Sequence, residues 1–481
     1  MTEDWDRFDA ADWLAEELAA DDEVAFAEVG AVREQYRSAA VRADERRATD
    51  PVETTGVWCR VFVEGSTAYR FTTTLTEDNL EGVAQRTRRS ARLLGQDTPT
   101  QYDPHVVHRD FHPGWDTGTG ETGADPLDSL ASAYALLDGV EGASVRHQQR
   151  SLDLAVLTTT GSAVRTELDR GEVTASVSTD SGRLSTHVGT TAGDVLDRAH
   201  EAVEPILAVL DRRADLPTET PPTGDLSVVL GPVAAGQVVY ALAQYFEMDE
   251  RYMGARPFEI GEQIAPASFS LRDVIVPGSW AAMAYDAEGR PTQPTTLVDD
   301  GVVTSFLHDT PTALEEEVSP AGNVAFPMGF ENPPRIHPRH LDVDPGQTRR
   351  DALLDEADVY VERLGPPFLG NEATRTKRRS WMPSSTLYGL NTQEHTPDRY
   401  DESAQSVRFR IADGYRLDGG ERAATLAGAK LTVTPDDLGS IVAIGRARET
   451  VTGTSSKHKS MLPYAVTAPS MRLTASVGVD R

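Results

Sequence analysis

The sequence predicts a two-domain α+β protein, and three observations carry that expectation. Apolar residues switch between helical and strand spacing twice over residues 1–212. The stretch Leu216-Pro-Thr-Glu-Thr-Pro-Pro-Thr-Gly224 then interrupts every pattern, because its prolines cannot continue a helix and favour an extended linker. Past it, Leu226-Ser-Val-Val-Leu230 opens a new buried-type strand, followed by mixed strands, few helices and many turns. At 481 residues and 52.2 kDa the chain is in any case too long for one ordinary domain. The expected organisation is an N-terminal α+β domain over residues 1–212, a linker over 213–224, and a second, largely antiparallel domain with helices over 225–481.

In the first domain, Phe8, Trp13, Leu14 and Leu18 recur at helical spacing. Val24 to Val29, Val57 to Val63 and Ala68 to Thr74 read as strands, with a turn at Gly65, and Leu80 to Leu94 returns to a helical pattern. Residues 96–125, rich in Asp, Pro, Gly and Thr, form a connecting loop. The plan then repeats. A helix is expected near Leu127 to Leu137, strands near Ala143 to His147, Leu152 to Thr158, Ala163 to Leu168 and Val173 to Ser178, and a helix from Ala192 to Leu210. This is a candidate internal duplication, in pattern and not in residues. His105, His108 and His112 lie in the loop. With no helix to orient them and no acidic partners, they read as surface histidines and not as metal ligands.

Acidic residues outnumber basic ones 76 to 46, for a formal net charge of −30 and a pI near 4.7. Lys377, Lys430, Lys457 and Lys459 are the only lysines. Acidic excess with scarce lysine suits a protein kept soluble in concentrated salt, where screening mutes self-repulsion. A haloarchaeal cytoplasm is the expected setting, and an ordinary acidic protein from a high-GC organism is the other reading of the same composition. Such a charge argues against a nucleic-acid partner. Of the two basic clusters, Arg86-Arg88-Arg89-Arg92 falls on a helix and reads as a solvated face; neither it nor Arg375-Lys377-Arg378-Arg379 is expected to bind nucleic acid. Cys59 is the single cysteine, which excludes an intrachain disulfide and a cysteine-based metal site, and its apolar strand context reads as a packed thiol. The N-terminus has no basic region followed by an apolar core, and no apolar run reaches membrane-spanning length, so no membrane partner is expected.

The segment Gly231-Pro232-Val-Ala-Ala-Gly236-Gln-Val-Val-Tyr240-Ala241-Leu-Ala-Gln244-Tyr245-Phe-Glu247 reads as an apolar helix over 233–247. It resembles the metal-site segment of the TldD/TldE (PmbA) family, in which a Gly-Pro opening leads into a helix bearing H-E-x-x-x-H. The two histidine positions are Tyr240 and Tyr245 here, and the glutamate position is Ala241. A C-terminal segment, Gly453-Thr454-Ser455-Ser456-Lys457-His458 running through Pro463 to Pro469, resembles the family's Gly-Thr-Cys region, with Ser455 in place of the cysteine. Between them, Gly254, Arg256-Pro-Phe, Ile264-Ala-Pro, Leu271-Arg-Asp-Val-Ile and Gly370-Asn371 follow the family's order. So do the turn Tyr285-Asp286-Ala-Glu288-Gly289-Arg-Pro291 and the hairpin after Val298, whose Asp300-Gly301 is a hairpin signal in its own right. The resemblance covers most of residues 225–481 and, by pattern only, the N-terminal half.

The resemblance implies the family's two-domain fold without its metal. A mononuclear catalytic zinc needs three protein ligands, an open position and a carboxylate to take a proton from water. Tyrosine, with a pKa near ~10, rarely offers a phenolate at neutral pH. Alanine offers nothing, and serine is a poor ligand beside a thiolate. Residues five apart lie ~140° apart on a regular helix, so two such ligands need a distorted turn. Active relatives carry a glycine where Gln244 stands. Gln244 is a good helix former, so the helix is expected to run unbent, with Val238, Leu242, Tyr245 and Phe246 as packing residues. No catalytic residue and no cofactor is expected in this chain, and zinc is expected in a TldD-like partner. The chain then reads as the non-catalytic TldE-like subunit of a cytoplasmic, heterodimeric peptidase that processes unfolded or extended peptides. Two alternatives stand beside it. One is a peptidase using another site, with Ser455, His458 and Asp286 as candidates but no G-x-S-x-G framework. The other is a homodimeric peptide-binding scaffold without a protease partner. Asp286 and Glu288 are expected to stabilise a turn more than to act as an acid/base pair.

Overall fold

The computed structural model describes residues 5–43, 45–63, 66–94, 109–112, 125–252, 255–369, 406–457 and 460–479. Two large sheets organise them. The first comprises β1 (Phe26–Arg42), β2 (Glu45–Ala48), β3 (Val52–Val63), β4 (Ser66–Thr72), β5 (Arg109–His112), β6 (Ser144–Thr158), β7 (Ala163–Thr179) and β8 (Gly182–Thr190). With it go α1 (Arg7–Ala19), α2 (Glu77–Leu94), α3 (Pro126–Ala135) and α4 (Ala199–Ala214). Asp6 caps α1 and Asp125 caps α3, each side chain accepting a hydrogen bond from a first-turn amide, with Pro126 opening α3. The order β4-β3-β1-β6-β7 runs on to β8, while β5 pairs in parallel with the other end of β7. Each half is thus a helix, a three-strand meander and a helix, and the halves join through their first strands, β1 and β6. The sequence pattern repeats because the topology does.

Strand alternation gives this sheet two different faces. Ala27, Val29, Val57, Cys59 and Val61 pack under α1 and α2, and Val145, Val173, Ala175 and Val177 under α3 and α4. Cys59 is fully buried; burial lifts its thiol to about 11, against the Thr87 hydroxyl, so it packs and does not react. The opposite face presents Val32, Trp58, Leu154, Val156 and Leu168 to Met283, Val324, Phe326 and Phe330 of the C-terminal half. Gly30 makes room for this contact, since a β-carbon there would fall inside the Trp58 indole. On α2, Arg92 is exposed beside Glu23, as expected of a solvated face, whereas Arg88 is largely buried and pairs with Asp21 and Glu17.

Several strand boundaries differ from the pattern-based reading. Polar stretches at Gln148–Ser151 and Asp169–Glu172 suggested breaks, yet β6 and β7 run through them with the ladder intact. In β6 the polar side chains are matched across the sheet: Gln148 donates to the Tyr36 hydroxyl at 2.5 Å, and Arg150 pairs with Glu34 at 2.5 Å. β8, rich in Ser, Thr, Gly and His, carries no apolar alternation and was not foreseen. The Pro-rich stretch is extended, but Thr218–Glu219 (β9) joins the second sheet beside Thr425–Leu426. His105 and His108 lie outside the described residues, as do Gly254, Gly370-Asn371, Arg375 to Arg379 and His458.

The second sheet also contains β10 (Gly224–Leu230), β11 (Leu271–Val274), β12 (Thr295–Asp299), β13 (Val302–Val303), β16 (His340–Val343), β17 (Val359–Leu369), β18 (Val407–Asp418), β19 (Glu421–Leu426), β20 (Ala429–Val433), β21 (Ala443–Lys457) and β22 (Ser460–Val479). A two-stranded pair, β14 (Val324–Ala325) and β15 (Arg335–Ile336), lies apart. Strand β22 is the spine. Successive stretches of it pair with β16, β10, β20 and β21. The path β22-β10-β17-β18-β20 returns to β22 and closes a ring of strands. Helix α5 (Pro232–Ala243) packs on β21, β22 and β17, and short helices α6 (Met248–Tyr252), α7 (Thr310–Glu315) and α8 (Arg350–Leu354) decorate the connections. No helix among the described residues is long and apolar enough to cross a membrane.

Candidate functional site

Helix α5 is buried along almost its whole length, with Gln237 alone half-exposed. Gly231 caps it in extended conformation, Pro232 occupies its first turn, and Gly236 lets it approach β21, where a β-carbon would meet Val451 at 2.8 Å. Gln237 holds the helix to β17 through both ends of its amide: Nε2 donates to the Leu364 carbonyl at 2.8 Å, and Oε1 accepts from the Leu364 amide at 2.9 Å. The helix ends at Ala243 and tightens into a 3₁₀ turn over Gln244–Phe246. The expectation of an unbent helix to residue 247 is therefore corrected. The backbone after the turn bonds with residue 307: the Leu307 amide donates to Phe246, and the Met248 amide donates to Leu307. That tertiary pairing overrides the helix propensity of Gln244.

Tyr240 is 3% exposed and stacks on Tyr464 of β22, with ring centroids 3.6 Å apart and planes 9° apart. Its hydroxyl lies 3.4 Å from His337 Nε2, with Ser455 nearby. Burial, reinforced by Tyr464, drives its pKa well above the phenol range, with Ser455 pulling the other way. Ala241 is buried within the helix interface, and Tyr245 packs edge-on to Phe258. The fold therefore brings Tyr240 and Ser455 together and sends Tyr245 into apolar packing. Two phenols, a methyl and a hydroxyl make up the four motif positions, and this donor set does not fit a zinc ion.

Immediately beyond the turn lies a cluster that sequence reasoning missed. Glu247 has no exposed side-chain surface, and its carboxylate with those of Asp249 and Glu250 forms a group whose oxygens lie within 4.8 Å of one another. The ammonium of Lys457, at the end of β21, reaches into this group. It pairs with Glu247, donates to Asp249 Oδ1 at 2.7 Å and to the Ile336 carbonyl at 2.8 Å, and lies 4.0 Å from Glu250. Burial opposes its charge, but Asp249, Glu247 and Glu250 outweigh burial and hold its pKa above the usual lysine range. His337 Nδ1 stands 3.4 Å from the other Glu247 oxygen, so His337 links the cluster to Tyr240. A lysine ammonium thus takes the place that a cation would need among these carboxylates. The signal was available: in a chain whose basic residues are nearly all arginine, one of four lysines stands two positions after Ser455.

Asp286 and Glu288 have distinct roles. Asp286 Oδ1 accepts from the amides of Glu288 and Arg290, both at 2.9 Å, and Oδ2 from Val324, which makes it the turn-former expected. Glu288 does more. It accepts from the Thr310 amide and hydroxyl and pairs with Arg60 of β3, whose guanidinium also binds Glu28 at 2.7 and 3.0 Å. Asp309 stands 3.8 Å from the same guanidinium. Burial first, then neighbouring acids, push Glu28 up to about 8 and Asp309 to about 6, both against Arg60. Arg60 thus faces three carboxylates, with Arg290 standing 3.7 Å from Glu288 as a second, more distant guanidinium. A second interdomain contact joins His187 of β8 to Glu172 at 2.8 Å and, through its other ring nitrogen, to Thr452 of β21 at 2.7 Å, beside the edge of Trp280.

A family profile described as PmbA/TldA metallopeptidase C-terminal domain matches residues 223–374, which take in α5 and the Asp286 turn. A metalloprotease of Methanothermobacter thermautotrophicus is 26% identical over 350 residues, covering 70% of this chain and 75% of that protein. Among solved structures, a candidate modulator of a DNA gyrase from Thermotoga maritima is similar at 18% identity and a TM-score of 0.66, with 98% of this chain and 100% of that one covered. TldE from Thermococcus kodakarensis is similar at 13% identity and a TM-score of 0.64, covering 98% of this chain and 99% of that one. At these identities the structural likeness speaks for the α+β fold.

Proposed function

Because the chain belongs to the TldD/TldE (PmbA) family, we propose that it is a non-catalytic, TldE-like subunit of a zinc peptidase, acting in a salt-rich cytoplasm beside a TldD-like partner that holds the metal. One observation carries this reading: the buried Tyr240, stacked on Tyr464, and the half-exposed Ser455 come together where relatives with the full motif would present a histidine and a cysteine to zinc. Lys457, seated among the nearest carboxylates, adds to it by leaving those oxygens already compensated. The role left to this chain is to complete the substrate chamber and present unfolded or extended peptides to the partner, by strand addition at a sheet edge. The reading of a separate hydrolytic site gains no support, since both oxygens of Asp286 are engaged by backbone amides.

The test is a zinc determination and a peptidase assay on the purified chain, alone and mixed with the TldD-like protein of the same organism. The expected result is less than about 0.1 zinc per chain, no hydrolysis alone, and hydrolysis in a co-purifying mixture. One tightly held zinc per chain, or peptidase activity of the chain alone that survives removal of trace metal, overturns the proposal.

A further inference from the structure

Arg170 lies midway along β7 on the face turned toward the C-terminal half, directly opposite Arg150 of β6. Its side chain is 5% exposed, its Nε has no hydrogen-bond partner, and no ion pair reaches it among the described residues. Arg150 cannot help and is itself committed to Glu34. Burial, followed by repulsion from Arg150, lowers the Arg170 pKa to about 10, with Glu34 pulling the other way, so the guanidinium stays charged at neutral pH.

This buried cation lines a small cavity whose other walls come from the C-terminal half, among them Met283, Asp286, Phe326, Arg339 and Pro463. The free volume is ≈ 10 Å³, about the space of one water-sized particle. Neither of the other charged walls is bonded to Arg170 among the described residues. The Arg339 guanidinium is taken up by Asp273 and by the carbonyls of Gly322 and Gln293. The Asp286 oxygens are taken up by three amides. A charge left alone in such a place is strongly unfavourable unless something of opposite sign joins it.

We propose that this cavity binds one monovalent anion of halide size, held by Arg170 at the junction of the two halves. Its dimensions exclude a peptide carboxylate with its chain attached, and a neutral water would leave the charge uncompensated. The site is independent of the subunit role proposed above, so the failure of either leaves the other standing.

Thermal unfolding of the full chain and of Arg170→Met, in sodium chloride, bromide and gluconate at matched ionic strength, tests the site. Chloride-35 line widths in the presence of the wild-type chain give a second, direct readout. Wild type is expected to melt about 2 °C or more higher in chloride and bromide than in gluconate, beyond any difference shown by the variant. The wild-type chain is expected to broaden the chloride line, and bromide to titrate the broadening away. Equal anion responses in both proteins, or no excess broadening, overturn the proposal. Displacement of chloride by acetate as readily as by bromide overturns the size assignment. Should Arg170→Met fail to fold, the line-width titration on wild type decides alone.

Discussion

At Tyr240 and Lys457, adjacent side chains do opposite kinds of work. The Tyr240 ring contributes mainly area, stacked on Tyr464, and its hydroxyl sits beside two partners, one of them at the half-exposed Ser455. Tyr240→Phe is therefore expected to cost about 1 kcal/mol or less in urea unfolding, because Ser455 can turn to water. Lys457 is different. Removing its ammonium leaves Glu247 buried beside the Asp249 and Glu250 carboxylates, with His337 as the nearby ring. Lys457→Met is expected to destabilise the chain by about 3 kcal/mol or more, read as a shift of the urea midpoint at unchanged slope. The tyrosine, alanine and serine substitutions were legible from the motif alone. The lysine's role was not, because a residue's charge partners across 210 positions of chain cannot be read from spacing.

At the level of elements, helices and hairpin turns were largely legible, since caps, glycines and apolar spacing act locally. The failures share one cause. The middles of β6 and β7 looked like breaks because their side chains are polar, yet Gln148 and Arg150 are satisfied across the sheet by Tyr36 and Glu34, and Glu172 by His187, with Arg170 left without an ion pair among the described residues. Helix α5 gives way early to a 3₁₀ turn, whose Phe246 carbonyl accepts from the Leu307 amide. In both cases a partner distant in sequence decides a local outcome. The β1–β3 pair offers a test of such long-range fit. Gly30→Ala would place a methyl group inside the Trp58 ring, which is pinned by Tyr69 and Phe326. The expected loss is about 1–3 kcal/mol in thermal or urea unfolding, against little effect for alanine at Gly139, where nothing lies near the added carbon beyond the strain of a positive φ.

For the whole molecule, the two halves meet across an acid-rich seam. Glu28, Asp286 and Asp309 all have folded-state pKa values raised by burial, to about 8, 7 and 6. A raised carboxyl contributes stability that is fully present below its ordinary pKa and is lost as pH rises through the folded value. Stability should therefore decline between about pH 4 and pH 8. Urea midpoints measured across that range are expected to fall more steeply for wild type than for Glu28→Gln, which keeps the side-chain size and one acceptor for Arg60 without the titration. A flat profile in both would show that the seam does not hold its protons. This seam was not legible in the sequence, since Glu28, Arg60 and Glu288 come from three separate strands and turns.

One consequence of the Lys457 arrangement reaches beyond the site. A counter-ion supplied by the polypeptide is always present in unit stoichiometry and never exchanges with the medium. Chelators, dilution or trace-element starvation have nothing there to remove, so the C-terminal half should assemble identically whatever the supply of divalent cations, leaving any dependence on them to a different chain.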